Sequence, residues 1–314
     1  MTKLVKIGKS QVLATPLGFG ANSVGGDNLF PNLNDQLGIQ TVQTAINNGI
    51  NLIDTAYAYG YGKSETLIGE AIKPFDRDKL IIATKGAQAI HNGKVSISND
   101  PDFLKQCVYD SLKRLQTDYL DIFYIHFPDE DTPKDVAVAA LQELKDQGII
   151  KAIGVSNFSY EQLVEANQNG QIDVVEDNYS LIYRKPETQI FPYLNAHNIA
   201  FVPYFPLASG LLTGKYSHPI EFPEGDLRKN DKNFNGENFK AIVTATNSLK
   251  PIAKNHDISI TELVLAWYIK NPNITVVIPG AKTPEQAKTN ARSMNVAITN
   301  SEYNIIDNTF KSFL

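Results

Sequence analysis

Asp54, Tyr59, Lys85 and His126 are an acid, a phenol, an amine and an imidazole. Three of them close short apolar runs: Ile50-Asn51-Leu52-Ile53 before Asp54, Leu80-Ile81-Ile82-Ala83-Thr84 before Lys85, and Ile122-Phe123-Tyr124-Ile125 before His126. Tyr59 follows Asp54 by five residues. Together they make a proton-transfer set. A free phenol has a pKa of about 10 and is a poor acid–base catalyst at neutrality. A neighbouring ammonium stabilises the phenolate and lowers that value. A carboxylate holds the ammonium in place, and an imidazole can orient a substrate oxygen. Tyr59 would then give a proton to a developing alkoxide or take one from an alcohol, with Lys85 tuning it, Asp54 anchoring Lys85 and His126 positioning the carbonyl. No group of this set supplies hydride, so the chemistry requires a cofactor. Taken singly, such residues are more often a helix cap, a solvated rim charge and a structural histidine. Their recurrence at matching places on three successive apolar runs favours chemistry.

Elements able to gather these groups are legible in the pattern. Continuous β-branched and aromatic runs read as buried parallel strands. The candidates are Pro16–Phe19, Asn51–Asp54, Leu80–Lys85, Asp121–His126, Ala152–Val155, Val174–Asp177, Phe201–Phe205 and Thr275–Ile278. Helical patterns follow them at Gly38–Asn48, Glu65–Ile72, Pro101–Leu115, Pro133–Gln147, Tyr160–Asn167, Pro186–Ala196, Ile258–Lys270 and Pro284–Ser293. Thr132-Pro133, Thr283-Pro284 and the capping box Ser159-x-x-Gln162 mark starts, and Gly148 and Gly170 mark stops. Eight strand–helix units without a composition break predict an α/β fold, a closed (β/α)8 TIM barrel forming one domain over residues 1–314. Such barrels run to roughly 250 residues, and their active sites lie at the C-terminal strand ends. Two long connections, Gly86–Asp100 and Ser209 to about Phe239, would stand at that mouth.

Bulk properties narrow the function. The chain has 314 residues, 42% hydrophobic and 20% charged, with a net charge of −5. That balance argues against a general binder of nucleic acid or anionic membrane. No apolar run approaches the roughly 18 residues of a membrane span. Met1-Thr2-Lys3-Leu4-Val5-Lys6 lacks a signal-peptide core, and the single cysteine, Cys107, reads as a small buried hydrophobe; the expectation is a cytoplasmic protein. His91, His126, His197, His218 and His256 are scattered without ligand spacing, so no metal site is expected.

The usual dinucleotide fingerprint is missing, because Ser23 stands where Gly18-Phe19-Gly20 would need a third glycine. Gly8-Lys9-Ser10 and Gly62-Lys63-Ser64 resemble the end of a phosphate loop, but Lys3 and Tyr57 occupy the place of its first glycine. What remains is phosphate binding of the barrel kind, after the last two strands. Ser209-Gly210-Leu211-Leu212-Thr213-Gly214-Lys215 and Pro279-Gly280-Ala281-Lys282-Thr283-Pro284 provide small residues and two lysines there.

In ordered combination these segments resemble the aldo-keto reductase superfamily. The carriers are Asp54-Thr55-Ala56-Tyr57-Ala58-Tyr59-Gly60 with Gly62-x-Ser64-Glu65, Thr84-Lys85, Tyr124-Ile125-His126, Gly154-Val155-Ser156-Asn157-Phe158, Tyr204-Phe205-Pro206-Leu207, and Ile278-Pro279-Gly280 through Gln286 and Asn290. The likeness spans essentially the whole chain. It is nearest to the IolS-like bacterial branch, which shares the run Phe222-Pro223-Glu224-Gly225-Asp226-Leu227-Arg228.

The resemblance implies a barrel that binds NADP(H) without a Rossmann domain and moves hydride reversibly between NADPH and an aldehyde or ketone. It implies Asp54, Tyr59, Lys85 and His126 as the catalytic tetrad. It puts Ser156, Asn157 and Glu176 at the nicotinamide carboxamide and Tyr204 against the ring, with Phe205 and Pro206 beside it. Leu207, Ser209, Gly210 and Lys215 would line the pyrophosphate path. Gly280, Lys282, Gln286 and Asn290 would hold the adenosine end, with Lys282 favouring the 2′-phosphate. Gly20, Ala21 and Asn22 would lie near the cofactor at the first strand, and Arg228 would reach back from the long loop. Two departures stand out: Glu176 replaces the usual Gln, and Thr289 stands where many relatives carry an acid. The implied partner is a small carbonyl or alcohol substrate. The rival readings are a nucleotide-binding redox sensor serving a partner protein, and a barrel isomerase using Lys85 as a Schiff base. Oligomeric state is not legible. The pocket rim is expected from the Gly86–Asp100 loop, the Phe127-Pro128 loop and the chain's end, without a long C-terminal flap.

Overall fold

The computed structural model describes residues 3–91, 94–224, 226 and 228–313. Asn92 and Gly93 of the first long loop, Gly225 and Leu227 of the Phe222–Arg228 run, and Leu314 at the chain's end lie outside the described residues.

In chain order the strands are β1 (Val5–Lys6), β2 (Leu13–Ala14), β3 (Phe19–Gly20), β4 (Leu52–Asp54), β5 (Ile81–Gly86), β6 (Gln88–His91), β7 (Lys94–Ile97), β8 (Leu120–Ile125), β9 (Ile150–Ser156), β10 (Val174–Asn178) and β11 (Ala200–Tyr204). Seven of them form one parallel ladder in the order β3-β4-β5-β8-β9-β10-β11. The predicted eighth strand, Thr275–Ile278, forms no ladder of its own but closes the ring. Thr275 N–H donates to Phe201 O at 2.9 Å, Val277 N–H to Pro16 O at 3.1 Å, and Gly18 N–H to Val277 O at 2.9 Å. Parallel bridges join Leu17 to Val277 and Gly20 to Gly280. The result is the expected (β/α)8 barrel. A hairpin of β1 and β2, unforeseen in the sequence, packs Ile7, Val12 and Ala14 into the bottom.

Helices follow the barrel strands at Asp35–Asn47, Lys63–Ile72, Pro101–Leu115, Lys134–Asp146, Tyr160–Ala166, Ile190–His197, Ile260–Lys270 and Pro284–Arg292. Their ends depart from expectation by a few residues, where caps rather than periodicity decide. Asn34 accepts from Leu37 N–H, so the first helix starts at Asp35. Ser259 and Glu262 form a capping box ahead of Ile260. The sequence did not suggest three further α-helices, Gly236–Asn247, Lys250–Asn255 and Asn300–Thr309. The Gly86–Asp100 connection is likewise no plain loop: β6 and β7 pair antiparallel within it.

Alternation along the strands divides the core. Leu52, Ala83, Ile122, Tyr124, Ala152, Val174, Val202 and Val276 pack together inside the barrel. Their neighbours Ile53, Ile82, Phe123, Ile153, Val175 and Phe201 pack outward with the helices. Continuing the inward period by one step along each strand reaches Asp54, Lys85, Glu176 and Tyr204. The lumen is therefore apolar at depth and polar at the C-terminal mouth. One glycine is required for this filling. Gly154 is in register with Tyr124, and a Cβ on it would stand 2.2 Å from the Tyr124 ring. None of the described helices is long and apolar enough to cross a membrane.

Candidate active site

Register brings the tetrad together. Asp54 pairs with Ala83 on β5, and Lys85, two residues on, pairs with Tyr124 on β8, so Asp54 and Lys85 face one lumen. His126 follows β8 directly, its N–H donating to Gly86 O at 2.8 Å. Tyr59 comes from the tight turn between β4 and the helix from Lys63, held by Tyr59 N–H to Ala56 O at 3.1 Å and Ser64 N–H to Tyr59 O at 3.1 Å. Below that turn Glu65, fully buried, accepts from Thr84 Oγ1 at 2.6 Å and from Arg114 Nε at 2.5 Å.

Lys85 is wholly sealed from solvent. Its ammonium donates to Asp54 Oδ1 and, at 3.0 Å, to Thr55 O, and it stands 3.3 Å from Glu176 Oε2. Burial pushes the amine down, but Asp54 and Glu176 outweigh it and hold Lys85 above the ordinary lysine value. The ammonium also stands 5.4 Å from the centre of the Tyr59 ring. His126 meets the Tyr59 ring edge-on at 6.1 Å between centres. Burial, and then the Lys85 charge, push His126 well below its usual value, so the imidazole is neutral. Its Nδ1 is buried with no partner among the described residues.

One expectation is corrected. Lys85 does pull the Tyr59 phenol down, but burial is the larger influence, and Asp54 and Glu176 add to it, so the phenol lies above its ordinary value. The physical reason is that the phenolate would be stripped of water in the assembled wall, and the acids around Lys85 offset part of its charge. Tyr59 stands as a protonated acid rather than an acidified phenol.

These groups open into a cleft of about 820 Å³. Gly20, Asn22, Asp54, Asn157, Glu176, Tyr204, Phe205, Pro206, Leu207, Ser209, Gly210, Lys215, Arg228, Gly280, Lys282, Gln286 and Asn290 line it with Tyr59 and His126. Three residues of the sequence-based set, the sealed Lys85 with Ala21 and Ser156, stand behind the wall instead. Ala21 is fully buried, its N–H tied to Asp54 O at 2.8 Å. Ser156 is buried beneath Asn157, whose Nδ2 donates to Ser156 Oγ at 3.0 Å. Asn157 Nδ2 also donates to His126 O at 3.0 Å, and Asn157 Oδ1 accepts from Tyr204 OH at 2.7 Å, so three strand ends are locked together.

At the far end Lys215, Arg228 and Lys282 converge. Burial, then the charges of Arg228 and Lys215, push the Lys282 amine down. Lys282 Nζ lies 4.1 Å from the Phe30 ring centre, and Arg228 forms a two-point pair with Asp226 at 2.9 and 2.5 Å. Ser209 and Gly210 both have left-handed backbone, with φ of +54° and +101°. For Ser209 that is strain; for Gly210 it lets Lys215 Nζ lie 2.8 Å from where a Cβ would be.

Gln88 on β6 lines the cleft from the Gly86–Asp100 connection expected at the rim, and Thr213 lines it from the Ser209–Lys215 run; sequence reasoning missed Asn28, Leu29 and Phe30 after β3. Only fold placement reveals them, since all belong to irregular segments. Phe127 lines the cleft as the rim expectation had it, whereas no described residue beyond Asn290 does.

A barrel with an acid, amine, phenol and imidazole at its mouth and cations along an extended groove defines a carbonyl- or alcohol-transforming oxidoreductase class. The sequence pattern of the aldo/keto reductase family matches residues 16–310, and the chain belongs to that family. It is 36% identical over 282 residues to the aldo-keto reductase YhdN of Bacillus subtilis, covering 89% of this chain and 85% of that one. It is 30% identical over 315 residues to the NADH-specific methylglyoxal reductase of Escherichia coli, covering 96% of each. The solved glycerol dehydrogenase AKR11B4 from Gluconobacter oxydans superposes with a TM-score of 0.91 at 30% identity, over all of this chain and 96% of that one.

Proposed function

We propose that this protein is an NADP-dependent aldo-keto reductase that interconverts an aldehyde or ketone with its alcohol, Tyr59 acting as general acid and base. The observation that carries this reading is the Tyr59 phenol held between Lys85 and His126 beside the cleft. The groove fits a dinucleotide phosphate: three mutually repelling cations gathered at one end favour an anion there. Lys215, Arg228 and Lys282 would hold the phosphates, and Asn157, Glu176 and Tyr204 the nicotinamide. A bound reduced nicotinamide would supply hydride to the carbonyl carbon.

The chain's own residues do the rest. His126, neutral, has an N–H to offer the carbonyl oxygen and so fixes its orientation. Tyr59 gives its proton to the oxygen as negative charge develops there. Its raised pKa suits it to donating and makes it a weak base until substrate and cofactor alter its surroundings. Lys85 attracts the phenolate that remains, and Asp54 fixes Lys85. The E. coli relative is named as NADH-specific, so the cation cluster is what supports the phosphorylated cofactor for this chain.

The test is Tyr59→Phe. Turnover should fall about 10²–10⁴-fold, the usual worth of a positioned proton donor, with cofactor binding by fluorescence changed less than about threefold. Near-normal turnover would overturn the assignment. The assay is a carbonyl and polyol panel followed by absorbance of NADPH and NADH. Cofactor binding with negligible turnover on every compound would favour a redox-sensing barrel instead.

A further inference from the structure

Three ionisable groups, Asp54, Lys85 and Glu176, are packed at the barrel mouth with almost no exposed surface. They number two acids against one base. Asp54 Oδ1 takes the Lys85 ammonium. Asp54 Oδ2 and Glu176 Oε2 are both buried acceptors without a hydrogen-bond partner among the described residues. Lys85 Nζ, which stands 3.3 Å from Glu176 Oε2, is the only cation paired with either carboxyl among the described residues. Two buried carboxylates repel, and an unpaired buried charge is costly. One proton on Glu176 cancels the excess negative charge and leaves the Asp54 carboxylate matched to the Lys85 ammonium.

We propose that Glu176 is carried as a neutral carboxylic acid beside the Asp54–Lys85 pair, and that in this form it donates a hydrogen bond into the cleft. An ionised carboxylate can only accept, whereas the acid donates through O–H and accepts through C=O, as a glutamine side chain does. Glu176 lines the cleft, so such a donor faces the site. The inference deepens the proposed function and rests on it for the identity of the acceptor, the nicotinamide carboxamide oxygen. The proton itself rests only on the charge count. The other titratable groups facing this pair are Lys85 on β5, Tyr59 on the turn after β4, Tyr124 on β8, and Tyr204 on β11. The phenols are protonated across the working range, since burial raises each of them above the usual tyrosine value. Burial, reinforced by Asp54, likewise pushes Glu176 well above the ordinary carboxylate range.

Infrared spectroscopy of the ligand-free protein tests the proton directly. The wild type should show the carbonyl stretch of a buried carboxylic acid near neutral pH. Glu176→Gln should remove it. Asp54→Asn should remove it too, because one carboxylate then faces one ammonium and no proton is needed. A merely structural Glu176 predicts no such loss in Asp54→Asn. Absence of the band from the wild type, or its survival in both variants, would overturn the proposal. The second arm is NADPH binding by fluorescence across pH. Wild-type affinity should weaken as pH rises through the acid's titration, by up to roughly tenfold per pH unit. In Glu176→Gln it should be flat, and identical profiles would remove the cleft-facing hydrogen bond. Failure to bind any nicotinamide cofactor would sink the functional reading while the spectrum still decides the proton.

Discussion

The two ends of the barrel treat buried acids in opposite ways. At the N-terminal end, Asp121 accepts from Ile82 N–H at 3.0 Å, Arg77 Nη2 at 2.8 Å and Lys151 Nζ at 3.1 Å. Asp173 accepts from Ile153 N–H at 2.8 Å and Lys145 Nζ at 2.6 Å. Arg77 in turn donates to Thr117, Leu80 O and Tyr119 O. Each acid ties a strand to its neighbour and meets its own cation. At the C-terminal mouth, Asp54 and Glu176 compete for the single Lys85, and His126 Nδ1 is left without a partner. Buried charge that is fully matched holds a fold together; buried charge left one partner short is held in readiness for a ligand or a proton.

The sharpest way to break this contrast is to remove one acid at each end. Asp121→Ala strands Arg77 and Ile82 N–H, and breaking such a pair costs about 3–5 kcal/mol. The protein should unfold at markedly lower urea while the folded fraction keeps its turnover. Asp54→Asn should do the reverse. It leaves Glu176 to ionise against Lys85 in place of Asp54, so stability should move by about 1 kcal/mol or less, while misplacement of Lys85 lowers turnover about 10²-fold. If both variants lost stability alike, the mouth would be ordinary scaffold.

A smaller effect separates the ends by pH. Burial first, then Asp54, raises the Glu176 carboxyl above its unfolded value, and burial raises Asp54 as well despite Lys85. The folded state therefore keeps a proton that the unfolded chain has released. Stability contributed by that proton is full below the ordinary carboxylate range and falls as pH rises toward the folded value. The slope is at most about 1.4 kcal/mol per pH unit for one proton. Thermal unfolding of Glu176→Gln should thus match the wild type in acid and exceed it progressively toward alkaline pH. A constant difference at all pH values would show that no proton is bound on folding at this site.

How far the sequence carries this far depended on how local the signal was. Strand positions followed from apolar runs, and the polar residue ending each run announced Asp54, Lys85 and His126. The eighth strand was legible too, but its ladder was not, because Thr275–Ile278 pairs through isolated contacts. Glu176 was visible as a departure, yet its meaning needed the Lys85 ammonium that it shares with Asp54, from a strand four places away in the sheet order. The same holds for Tyr59: the lysine's downward pull was foreseen, whereas the burial that exceeds it is a property of assembled walls. Gln88 was foreseen only as part of the Gly86–Asp100 rim, and Phe30 could not be read at all. Nothing in their neighbourhood repeats, and only the closed barrel brings β6 and the segment after β3 over the same cleft.

The remaining contrast lies within the cleft, between its catalytic and its cationic ends, and it predicts changes of opposite sign. Lys282 faces Arg228 and Lys215, and its charge is discouraged by both. A phosphate there would relieve that repulsion, so Lys282→Ala should weaken NADPH roughly tenfold, about 1.4 kcal/mol, and NADH much less. Equal losses would remove Lys282 from the 2′-phosphate. Asp226 works against the cluster. It engages Arg228 at two points and offsets part of the Lys282 repulsion. Asp226→Asn should therefore strengthen NADPH by a few-fold, roughly threefold, without helping NADH. Because the groups are partly exposed, the gain should shrink as salt rises from low ionic strength to about 0.15 M, where screening acts within about 8 Å. A gain shared equally by both cofactors would mean that Asp226 shapes the loop rather than the field.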